Sequence, residues 1–86
     1  MEEAKPLLEK YLKGVEAVLG QLRLCKLPKT LGEREVRELL DHAARYFRDA
    51  RYYEGEGKTV TALAAVCYCE GLLDALRLLG LVSFTW

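Results

Sequence analysis

Net charge is missing from this 86-residue chain: thirteen Lys and Arg balance thirteen Asp and Glu. No overall field therefore steers it toward nucleic acid or an anionic membrane, and either partner would have to be met by a local patch. Long uncharged runs are also absent. The longest, Thr59 to Cys69, has eleven residues, against the roughly 20 that span a bilayer. Charges flank every apolar pair of the opening MEEAKPLLEKYLKG, which is not the pattern of a secretory leader. A cytoplasmic protein without a membrane segment is expected. The three cysteines, Cys25, Cys67 and Cys69, have neither zinc-site nor disulfide-framework spacing. All three are expected to be small buried hydrophobes, with Cys25 alone reachable from solvent; no metal and no cofactor is expected.

What the chain does contain is helical periodicity, and its length allows one domain with one core over residues 1–86. Leu7, Leu8, Tyr11, Leu12, Val15, Val18, Leu19 and Leu22 fall within about 140° at 100° per residue, with Pro6 suited to the first turn. Val36, Leu39, Leu40, Ala43, Tyr46, Phe47, Ala50 and Tyr53 form a second arc of about the same width. Thr30 with Glu33 has the spacing of a capping box. Gly55 and Gly57 mark a tight helical hairpin. The expected fold is all-α, an up-and-down three-helix bundle with helices at about 4–24, 31–55 and 58–79 and a short C-terminal aromatic tail, LVSFTW.

The third helix is apolar almost all round. Fifteen of the twenty residues from Val60 to Leu79 are Ala, Val, Leu, Cys or Tyr, and Glu70, Asp74 and Arg77 share a stripe only about 60° wide. A seam of small residues, Ala64, Cys67, Gly71 and Ala75, and a leucine edge, Leu72, Leu73, Leu76 and Leu79, are expected to serve the other two helices. The remainder around Leu63, Val66 and Tyr68 is then surplus. It is expected to be covered by Phe84 and Trp86 of the tail or by a second copy, which makes these five residues the candidate interaction surface.

The stretch DARYYEGEGKTVTALAAVCYCEGLLDALRLLGLVSFTW, with its aromatic pair, glycine turn and EGLLDALRLLG finish, resembles an uncharacterised archaeal family, domain of unknown function 357. The resemblance covers Asp49 to Trp86, and helix 1 and the loop to Thr30 carry none of it. It implies a small three-helix bundle from an archaeal cytosol, with no activity attached.

Nothing in the chain spells out a reaction, and no enzymatic activity is expected. Folding the hairpin about Glu56 brings His42, Tyr46 and Asp49 toward Glu70 and Asp74, a polar cluster that could hold a cation or an acid of raised pKa. Inter-helix hydrogen bonds and an Asp74–Arg77 pair that fix register are the plainer account. Arg37 and His42 have the spacing found in some small helical ribonucleases, but on one helix they point about 140° apart. Arginines interleaved with tyrosines in ARYFRDARYY could contact RNA, yet Glu33 to Glu56 holds five basic and seven acidic residues, a solvated face. Nucleic acid is thus the lesser expectation. The favoured one is a non-enzymatic module that forms a homodimer or other homo-oligomer, or meets an unidentified protein partner.

Overall fold

A computed structural model describes residues 3–86. It contains α1 (Ala4–Gln21), β1 (Arg23–Leu24), α2 (Glu33–Gly55), α3 (Thr59–Leu78) and β2 (Val82–Ser83). The three helices form the expected bundle, elongated to 47 × 20 × 17 Å. α3 is its axis: it packs most extensively on α2, next on α1, while α1 and α2 meet only sparsely.

The core follows the sequence periodicity. Leu8, Leu12, Val15 and Val18 of α1 meet Ala43 and Ala50 of α2 and Ala62, Val66, Cys69 and Leu73 of α3. Burying each Val or Leu contributes about 1.5–3 kcal/mol, so the row of larger residues on α3 sets which face turns inward. At one end a second cluster joins Val36, Leu76, Leu81 and Val82.

Both hairpin-forming helix ends use the same device. Gly57 has φ +75°; its N–H donates to the Glu54 carbonyl at 3.0 Å and the Lys58 N–H to the Tyr53 carbonyl at 2.9 Å. Gly80, also at φ +75°, repeats this, with Gly80 N–H to Arg77 and Leu81 N–H to Leu76. This is the Schellman pattern, completed by apolar contact of Leu76 with Leu81. The helix starts differ from expectation. The N-cap of α2 is Gly32, without a side-chain cap, so Thr30 does not begin the helix.

Two further differences lie at the chain's closing end. Helix 1 stops at Gln21 rather than about residue 24, because Leu22 turns to an extended conformation and Arg23–Leu24 pair antiparallel with Val82–Ser83 (Arg23↔Ser83, Leu24↔Val82). The Cys25 N–H donates to the Leu81 carbonyl at 3.0 Å. The tail is therefore a strand plus an aromatic end, with Gln21 Nε2 donating to the Thr85 carbonyl at 2.7 Å and Phe84 edge-on to Trp86.

Candidate functional site

The polar residues divide into two groups on different sides of α3. On the α2 side, His42, Arg45, Tyr46 and Asp49 line a recess of about 220 Å³, and Tyr46 stacks against Tyr68 with ring centroids 4.6 Å apart. On the α1 side, Glu70 lines a recess of about 290 Å³ with Lys10, Tyr11, Gly14 and Trp86. The hairpin brings His42 and Glu70 to the same level along the bundle, as the fold about Glu56 anticipates. It does not bring them to the same side, because Tyr68 and Leu72 are the residues α3 turns toward Leu39, His42 and Tyr46. The five-residue cluster does not assemble.

Each half is locally satisfied. Asp74 Oδ1 accepts from Arg77 Nη2 at 2.7 Å, Arg77 Nε at 3.0 Å and Trp86 Nε1 at 3.1 Å. The hydrogen bond from Trp86 and then those from Arg77 hold its carboxyl below the usual range. Glu70 moves the other way: partial burial and then the charge of Asp74 raise its pKa, against the pull of Lys10. Among the described residues no group of three or more His, Cys, Asp and Glu side chains is arranged to hold a metal ion.

Four of the five arginines of α2 are engaged as well. Arg37 donates through Nε and Nη2 to Glu33 at 3.0 and 2.8 Å, while His42 Nδ1 lies 3.1 Å from Arg45 Nη2. Arg37 and His42 thus have separate partners. Arg34 pairs with Glu38 at 3.2 Å, and Arg51 joins Glu16 of α1 at 2.6 Å and Glu54 at 3.4 Å. Carboxylates thus occupy Arg34, Arg37 and Arg51, whereas Arg45 meets His42.

The apolar candidates are sorted differently from the expectation. Val66 is fully buried and Leu63 and Phe84 pack against the core; of the five, only Tyr68 and Trp86 are exposed. The small seam, expected to receive a neighbouring helix, faces outward: Ala64, Cys67, Gly71 and Ala75 are all exposed. With them stand Val60, Tyr68, Leu78 and Leu79, at 56%, 57%, 72% and 71% exposure. At 100° per residue these eight occupy about 120°, opposite the buried row. Val60 and Leu78 were not singled out in sequence, although they share the seam's arc. The thiols follow suit, since Cys69 is buried but Cys67 is exposed. Burial pushes Cys69 up to about 11, and partial desolvation followed by the Glu70 charge also raises Cys67.

This outward face makes α3 apolar on nearly every side. An 18-residue window of Thr59–Leu78 reaches a mean hydropathy of 1.4 with 28% of that window buried, and by length and composition the helix could cross a membrane. Glu70 and Asp74 lie within it, each costing about 2.5–3.5 kcal/mol at a bilayer centre.

No curated protein and no solved structure matches the chain. A family model does, over residues 10–82, taking in most of α1 and the following loop as well as the α2–α3 hairpin. The chain belongs to the family described as "Protein of unknown function (DUF357)".

Proposed function

We propose that this protein is a non-enzymatic assembly module that associates with itself through the outward face of α3. The observation that carries this is the continuous exposed row from Val60 to Leu79, four of whose large apolar residues are more than half exposed. On a monomer such a patch is a solubility liability; in an assembly it becomes core. The polar groups compete less well, because Arg34, Arg37, Arg51 and Arg77 already have carboxylate partners.

Light scattering across a wide range of protein concentration tests it. The expected result is a stable dimer or larger closed oligomer whose mass does not change when RNA is added. A protein that stays monomeric at high concentration removes the proposal. A mass increase seen only with RNA transfers the function to the arginine-bearing side of α2.

A further inference from the structure

Resting on that proposal, we infer that the partner is a second copy bound antiparallel, α3 against α3, with the small residues at the crossing. Three observations specify this occupant. The first is a size pattern that reads the same in both directions. Along the middle of the exposed row a large residue, Val60, is followed by small ones, Ala64, Cys67, Gly71 and Ala75, and then by large Leu78; Tyr68, packed on Tyr46, and Leu79 stand on its α2-side flank, outside this pattern. Reversed about residue 69, Val60 meets Leu78, Cys67 meets Gly71, and Ala64 meets Ala75 to within one residue. A two-fold interface requires self-complementarity of this kind.

The second observation is Gly71. It stands mid-helix, where glycine costs about 0.8–1 kcal/mol relative to alanine, and a Cβ added there would meet nothing within 4 Å. The monomer gives no packing reason for a glycine here, as it gives none for Gly14 and Gly20 of α1, but only Gly71 lies within the exposed apolar row. A partner backbone drawn close, toward the short end of the 8–10 Å separations of packed helices, gives one.

The third is area. With the roughly 150–250 Å² of an aromatic as the upper range for a large side chain, Val60, Tyr68, Leu78 and Leu79, each more than half exposed, present on the order of 400 Å². The small residues and Leu39 of α2, itself 42% exposed, widen the face toward the ~800 Å² a side that specific dimers bury. Charge does not oppose the contact. The central row carries none, Asp74 at its edge is closed on Arg77 at 2.7 Å, and antiparallel helices set opposite dipole ends together.

The experiment compares the parent protein with Gly71→Leu and then fixes orientation. Gly71→Leu fits the open space of the monomer but not the close crossing. It is expected to keep its helical circular dichroism and cooperative melting while its mass falls from dimer to monomer. A Gly71→Leu protein that remains dimeric overturns the small-residue crossing and leaves self-association standing. For orientation, Val60→Cys and Leu78→Cys chains, each also carrying Cys25→Ser and Cys67→Ser, are mixed and oxidised. Mixed disulfides between the two chains are expected; disulfides joining like to like signify a parallel pair and overturn the inference. A parent monomer that sediments with phosphatidylcholine–phosphatidylglycerol vesicles assigns the face to lipid and overturns both proposals.

Discussion

The outward faces of α2 and α3 were finished in opposite ways. On α2 the solvent side is a ladder of exposed ion pairs, Glu33 with Arg37, Arg34 with Glu38 and Arg51 with Glu54. On α3 the solvent side is valine, alanine, glycine, tyrosine and leucine. Exposed pairs of that type add only about 0.3–0.5 kcal/mol each, so the ladder is no great source of stability. Its effect is to keep α2 compatible with water, and α3 has only the Asp74–Arg77 pair at the edge of its outward face. Two helices of one hairpin thus mark which side of the bundle is surface and which is unfinished.

The comparison can be broken most forcefully from the inside. Leu73→Ala, on the buried side of α3, is expected to cost about 2–5 kcal/mol in denaturant unfolding. Leu78→Ala, one and a half turns further along but exposed, is expected to change the unfolding of the isolated chain by no more than about 0.5 kcal/mol. Equal losses from the two would mean that α3 has no free side. Next in size is Gly80→Ala. At φ +75° it should lose about 1–2 kcal/mol and loosen the tail, visible as faster amide exchange at Cys25 and Leu81.

Smaller effects distinguish the two acids of α3 by the sign of their pH dependence. Because the folded state raises the Glu70 pKa, its ionised form opposes folding. That cost is absent below the unfolded pKa and complete above the raised folded one. Glu70→Gln should therefore raise the melting temperature near neutrality, with the gain vanishing as pH falls through that window. Asp74 is depressed by Trp86 and Arg77, so its contribution is present above the unfolded pKa and is lost as pH falls through the folded one. Asp74→Asn should lower the melting temperature near neutrality and leave it unchanged in acid. The smallest effect is chemical: iodoacetamide should modify Cys67, exposed on the single chain but covered at the proposed crossing, faster after dilution to monomer than at concentrations that hold the dimer, and ahead of buried Cys69 in both. Both reactions are slow because the two thiols are shifted upward.

Helix existence, the glycine hairpin and most core residues of α1 and α2 were legible in the sequence because both helices carry a single apolar arc. α3 was not, for the same physical reason that makes it interesting. A helix apolar all round gives periodicity nothing to choose between, and spacing alone points the small seam inward and Val66 outward. Residue volume decides the matter: Val66, Leu73 and Leu76 gain more from burial than Ala64 or Gly71. The reach of Asp74 to Trp86 and the pairing of Arg23 with Ser83 were equally hidden, since neither has a local pattern. His42 and Glu70 illustrate the intermediate case, in which hairpin length fixes the level of a residue but not its side.

Pairing Arg23 with Ser83 closes a loop of roughly sixty residues, whereas the α2–α3 hairpin closes through the few residues around Gly57. Loop-closure entropy favours the shorter circuit, so the hairpin should form first in folding and the two-strand ribbon should be the first part lost. When the ribbon opens and α1 lifts away, the face of α3 that held Leu8, Leu12 and Val15 is bared while the outward face is already bare. The partly opened chain then offers two apolar faces of α3 to its neighbours, only the side held by α2 remaining covered, and aggregation competes with reclosure. A copy seated on the outward face would protect that intermediate as well as the native state.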